Sequence, residues 1–119
     1  MKTKFENLAS DPDGWKHINM TSFHGHTFLA TVDELVELVG EPNYVDNSGT
    51  DKTTHEWIIM NNETGTAFTI YDWKEYRTIR KDEKIDWHIG AHRSLDASAG
   101  ERLLRRLKSD NIWYVDVPV

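Results

Sequence analysis

The chain of 119 residues has no cysteine and only three prolines, and no apolar run approaches the roughly 20 residues needed to cross a bilayer. Without cysteine there are no disulfides and no thiolate chemistry, which suits a reducing cytoplasm. The start, Met1-Lys2-Thr3-Lys4-Phe5-Glu6, lacks the apolar stretch of a secretory signal. No internal repeat and no linker interrupts the chain. Positive charge is also outweighed: residues 1–75 hold 13 Asp/Glu against 5 Lys/Arg, the remainder 9 Lys/Arg against 7 Asp/Glu, and the net charge is -6. Duplex binding needs clustered Lys/Arg to release phosphate counterions, so an acidic face argues against generic duplex binding. An acidic surface is compatible with docking onto a basic partner and equally with simple solubility.

What is present is a chain with 38% hydrophobic residues and five tryptophans, the composition of one soluble domain with a real core. Residues 1–19 read as an arm with the turn Asp11-Pro12-Asp13-Gly14, and residues 20–117 as the core. Met20–Ala30 reads as a strand with a bulge at Gly25. Thr31-Val32-Asp33-Glu34 is a capping box; Val32, Leu35, Val36 and Val39 follow at helical spacing, and Gly40 with Pro42 stops the helix. Asn43–Thr54 is polar and turn-rich and reads as a mobile loop. His55–Met60 and Thr66–Trp73, joined by Asn61-Asn62-Glu63-Thr64-Gly65, predict a hairpin, and Ile85–Ile89 a third strand beside it. A second helix capped by Asp96 or Ser98 buries Ala99, Leu103 and Leu107, and Ile112–Val117 alternates as a final strand. The expected class is α+β, a mainly antiparallel sheet with two helices in the order β-α-β-β-β-α-β.

Three constellations could carry chemistry. His24 and His26 point to one side of a strand and could chelate zinc or nickel with His88 or His92. The competing reading is ordinary hydrogen-bonded histidines. Asp72-Trp73-Lys74 and Asp86-Trp87-His88, with Glu34 on the first helix, evoke magnesium-dependent nucleases, in which acidic groups hold the metal and a lysine polarises water. In those enzymes the D-x-K follows the acid along the chain; here it comes first. The third constellation is aromatic. Tyr71 and Trp73 share a strand face, and Trp87 on the next strand is expected to extend it into a surface that stacks a base, with Lys74, His88, Arg93 or Arg77 near a phosphate. Core packing is the rival explanation for the same stripe. Five tryptophans exceed what so short a core requires, which favours a binding surface.

The order of short motifs also carries a resemblance. Phe23–Ala30, Thr31-Val32-Asp33-Glu34-Leu35-Val36, Gly40-Glu41-Pro42, Asp51-Lys52, Glu56-Trp57, Gly65-Thr66, Ile70-Tyr71-Asp72-Trp73-Lys74 and Trp87-His88-Ile89-Gly90 resemble a largely uncharacterised family of small bacteriophage proteins over residues 21–92. Ala91 departs from it where a second glycine is usual, and both ends are longer here. The resemblance implies non-enzymatic counter-defence inside an infected bacterium, by sequestering a nucleotide-derived immune signal or by binding a host defence protein. For the latter the acidic face Asp33, Glu34, Glu37 and Glu41 is the candidate surface. No cofactor is implied, and a homodimer that completes the site is compatible with such a role. A metal-dependent phosphodiesterase or nuclease is the remaining alternative.

Overall fold

A computed structural model describes residues 4–45, 53–75 and 77–116, the last six of these by backbone alone. The fold is α+β: a six-stranded antiparallel sheet and two helices. The strands are β1 (Phe5–Asn7), β2 (Ser22–Ala30), β3 (Tyr44–Val45), β4 (His55–Asn61), β5 (Thr66–Tyr71) and β6 (Ile85–Ala91). They lie in the order β1-β4-β5-β6-β2, with β3 pairing the same strand, β4, as β1 does. Helices α1 (Val32–Val39) and α2 (Ser94–Asp116) complete the domain. No helix among the described residues is long and apolar enough to cross a membrane.

The start and stop of α1 follow from local chemistry. Thr31 Oγ1 accepts from the Glu34 amide at 3.0 Å while the Thr31 amide donates to Glu34 Oε1 at 3.1 Å, so the capping box closes reciprocally. Gly40, at φ 95°, takes a backbone conformation that side-chain-bearing residues avoid, and its carbonyl accepts from Trp57 Nε1 at 2.8 Å. Helix termination and core anchoring thus use the same glycine.

Strand alternation splits the sheet into two faces. One carries Phe28 and Ala30 (β2), Trp57 and Ile59 (β4), Phe68 and Ile70 (β5), and Ile85, Trp87 and Ile89 (β6). It packs with Val32, Leu35 and Val39 of α1 and Ala97, Leu103 and Leu104 of α2 to form the core. Trp57 and Trp87 meet edge-to-face at 5.3 Å, and Trp87 Nε1 donates to the Ala30 carbonyl at 2.9 Å. No buried side-chain N or O among the described residues lacks a partner. The opposite face carries Phe23, Glu56, Ile58, Thr69, Tyr71, Asp86, His88 and Gly90; α1 and α2 pack on the other side, and Ile58 and Thr69 are buried even so.

Several sequence expectations change here. Ile112–Asp116 continues α2 instead of forming a strand, so the core order β-α-β-β-β-α-β loses its last strand. Extending a formed helix gains one hydrogen bond per residue fixed, whereas a strand must find a neighbour, and the local β-propensity does not overcome that. Val117 lies outside the described residues. The arm contributes β1 on β4, and the polar stretch after Pro42 contributes β3; residues 46–52 of the expected loop lie outside the described residues. Helix α2 begins at Ser94, so Asp96 lies in its first turn and is held by Arg93 rather than capping the helix from outside. The expected bulge is present: the β2–β6 register shifts between Phe23 and Thr27, with Gly25 at φ 89°.

Candidate functional site

On the face opposite the helices, hairpin register sets Glu56 opposite Tyr71, and the β5–β6 pairing sets Tyr71 opposite His88. The next row places Thr69 opposite Gly90. A side chain at Gly90 would bring its Cβ to 2.9 Å from Thr69 Cγ2 and 3.3 Å from Tyr71 Cε1. The missing side chain is therefore what lets Thr69 and the Tyr71 ring lie across β6. Around them runs an aromatic chain: Phe23 stacks on His88 at 4.1 Å, His88 meets Tyr71 edge-on at 5.5 Å, and Tyr71 meets Trp73 edge-on at 6.2 Å. Trp73, 44% exposed, closes the end of the row, and the Lys74 ammonium lies 5.6 Å from its ring.

Beneath this row is a hollow of about 250 Å³ lined by Thr21, Ser22, Thr53, Glu56, Thr69, Tyr71, Trp73 and Gly90. Among the described lining residues Glu56 is the one that is charged, and Thr69 Oγ1 donates to its Oε2 at 3.1 Å. Burial pushes the Glu56 carboxyl above the ordinary glutamate range, with the Thr69 hydrogen bond opposing. The Tyr71 phenol is likewise raised, first by burial and then by the Glu56 charge. Burial lowers His88, with Asp86 opposing, so its imidazole favours the neutral form.

The structure divides the expected site residues. Tyr71, Trp73, Lys74 and His88 come together. Trp87 does not: it is 0% exposed on the helix-covered face and cannot stack a ligand. Arg93 lies beyond the end of β6, at the entry to α2, and forks onto Asp96 at 3.0 and 3.1 Å. Arg77, exposed, is bidentate to Glu83.

The carboxylates expected of a nuclease are dispersed. Asp72 is fully buried and accepts from the Thr54 amide, the Thr54 hydroxyl and the His55 amide. Asp86 is exposed on β6, and Glu34 pairs with Lys84 and Lys108. Burial acts to raise Glu34, but the Thr31 amide and the two lysines prevail and hold it below the usual range. Among the described residues no three His, Cys, Asp or Glu side chains are grouped as a metal site would need. The histidines have other partners: His24 Nε2 with the Ala91 carbonyl at 3.0 Å, His26 Nδ1 with Glu101 at 2.9 Å, and His92 Nε2 with the His17 carbonyl at 2.9 Å. Asp33, Glu37 and Glu41 are exposed on and just after α1, while Glu34 is partly covered.

The chain matches no protein-family model, no curated protein and no solved structure.

Larger hollows lie elsewhere among the described residues. One of about 460 Å³ is lined by Arg102, Arg105 and Arg106, but these bond Ser98, Glu101 and Glu63. One of about 510 Å³ runs between Leu29 and Lys108, and one of about 470 Å³ between Val36 and Ile79. Neither combines a partly buried titratable group with an exposed aromatic, and the smaller hollow does. Sequence reading missed Glu56, Thr69 and Phe23 as members. The signal for the first was available: counting back from Asn61 and forward from Thr66 pairs Glu56 with Tyr71.

Proposed function

We propose that the chain is a non-enzymatic binding protein that captures a small, nucleotide-like ligand at the hollow between Trp73 and Glu56. The observation that carries this reading is the exposed Trp73 indole, edge-on to Tyr71, at the rim of a polar hollow in which Glu56 is the only charged group among the described lining residues. Indole and phenol rings offer stacking area to any heteroaromatic ring, worth about 1–3 kcal/mol per base. The hydroxyls of Thr21, Ser22 and Thr69 supply adaptable hydrogen bonds. A hollow of about 250 Å³ is smaller than the roughly 300–1,000 Å³ of sites for drug-sized ligands. It takes one ring system, and the remainder of the ligand lies outside it, within reach of Lys74. The motif resemblance to small bacteriophage proteins supplies the biological setting. Sequestration of a nucleotide-derived host immune signal in the cytoplasm of an infected bacterium is the role that unites the two.

Dispersal of Asp72, Asp86 and Glu34 favours binding over metal-dependent hydrolysis. Titration of intrinsic tryptophan fluorescence with mononucleotides, cyclic dinucleotides and ADP-ribose tests the proposal. At least one should change the emission, and Trp73→Ala should abolish that response while costing about 1 kcal/mol of stability or less, as expected for an exposed position. A signal unchanged by every nucleotide, or fully retained in Trp73→Ala, would refute it.

A further inference from the structure

We infer, resting on the binding reading above, that the hollow selects the donor edge of a guanine-type base, with the Glu56 carboxylate as the group that reads it. The argument starts from what can face the base. Among the described lining residues Glu56 alone is charged, and the Thr69 hydroxyl, donating to Oε2, fixes the orientation of the carboxylate. An ionised carboxylate accepts hydrogen bonds and donates none. The ligand edge that meets it must therefore present donors.

Guanine presents two adjacent donors, N1–H and the 2-amino group, at the spacing of a carboxylate's two oxygens. Adenine and cytosine set an amino donor beside a ring acceptor, which an ionised carboxylate repels. Uracil and thymine have one donor flanked by two carbonyls. Tyr71 and Trp73 bound the same hollow and are available to any ring, so stacking gives affinity without choice and Glu56 gives the choice.

A second consequence follows from protonation. A neutral Glu56 would accept with its carbonyl oxygen and donate with its hydroxyl, matching adenine or cytosine instead. Burial in the hollow brings that exchange above the ordinary glutamate range, so preference should shift away from guanine on acidification.

The test is tryptophan-fluorescence titration with GMP, IMP and AMP at pH 7.5, repeated at lower pH. IMP retains N1–H and lacks the 2-amino group. GMP should bind about 10–100-fold more tightly than AMP, the discrimination one bidentate base contact supplies, with IMP between them. Glu56→Gln, whose thermal melt verifies its fold, should lose most of that ratio. The wild-type ratio should itself fall as the pH is lowered, which tests the idea even if Glu56→Gln does not fold. Equal affinity for GMP and AMP, or an undiminished ratio in Glu56→Gln, overturns the guanine assignment and leaves the binding reading standing. No response to GMP, IMP or AMP, nor to the cyclic dinucleotides and ADP-ribose, overturns both.

Discussion

Asp72→Ala separates a structural carboxylate from a catalytic one. Asp72 follows β5, and its side chain turns inward to a fully buried position. It accepts from the Thr54 amide at 2.7 Å, the His55 amide at 2.9 Å and the Thr54 hydroxyl at 2.9 Å. Because the single hydroxyl proton of Thr54 goes to Asp72, the His55 Nδ1 that lies 2.9 Å from that hydroxyl must be the donor in their contact. One carboxylate thus fixes the strand entry, the rotamer of Thr54 and the tautomer of His55.

Alanine removes the acceptor and strands two buried amide N–H groups, each costing about 1–3 kcal/mol. The hydroxyl can turn elsewhere, so the expected loss is about 2–6 kcal/mol. That is a large share of the roughly 5–15 kcal/mol by which small domains are stable. For a chain of this length each kcal/mol moves Tm by about 4 °C, so Asp72→Ala should melt roughly 8–24 °C below wild type. Asp72→Asn keeps one acceptor oxygen and should fall between them. Thermal and urea melts followed by circular dichroism measure both. A variant melting within about 2 °C of wild type would refute the anchoring role. If that same variant also lost a magnesium-dependent nuclease activity present in wild type, the hydrolase alternative would take its place.

Three further outcomes are expected. Gly100→Ala should destabilise the protein by about 1–3 kcal/mol in a urea melt, because the added Cβ would stand 2.8 Å from Phe68 Cγ and 3.0 Å from both Cδ atoms; the roughly 1 kcal/mol gain in helix propensity does not offset this overlap, and a more stable variant would contradict it. Glu56→Gln should raise Tm at pH 7.5 and lose that advantage near pH 4, because a carboxyl whose folded pKa lies above its ordinary 4.5 favours folding below that value and loses this contribution as the pH rises through the folded value. His55, lowered first by burial with Asp72 opposing, has the opposite sign: its contribution is present above its ordinary 6.5 and is lost as the pH falls toward its folded value, so a His55→Gln variant should have a shallower acid limb.

The sequence made some of this legible and withheld the rest for physical reasons. Helix α1 was readable because its signals are local: Thr31, Glu34 and Gly40 each act within a turn. The hairpin was readable from β-branched and aromatic runs around Asn61–Gly65. Strands β1 and β3 are three and two residues long, too short to establish a period, and exist because β4 offers an edge to pair with. The aromatic face was misassembled at one residue. Tyr71 and Trp87 lie on neighbouring strands, but which face each takes depends on register. The alternation Ile85, Trp87, Ile89 against Asp86, His88, Gly90 carried that information, since the apolar set belongs to the core. Glu56 escaped notice because a carboxylate between His55 and Trp57 has no local signature. Its role depends on Thr69 and Tyr71, brought to it by the hairpin.

Several departures from local stability lie around the hollow and support the binding reading proposed for it. In the core the described structure is self-consistent: α1 is capped, Trp57 and Trp87 place their N–H groups on carbonyls, and Asp72 is fully hydrogen-bonded. Near the hollow the pattern reverses. Lys74 holds a left-handed φ of 58°, a conformation that disfavours a side-chain-bearing residue by roughly 1–2 kcal/mol. Trp73 leaves much of its ring in water. Glu56 keeps a charge where burial opposes it, next to a phenol whose ionisation it opposes in turn. A glutamine at position 56, an asparagine or glycine at 74 and a smaller side chain at 73 would each relieve one of these without disturbing the core. Strain and desolvation that the fold does not need, gathered around one polar hollow, are expected where a site must be ready for a ligand before it arrives.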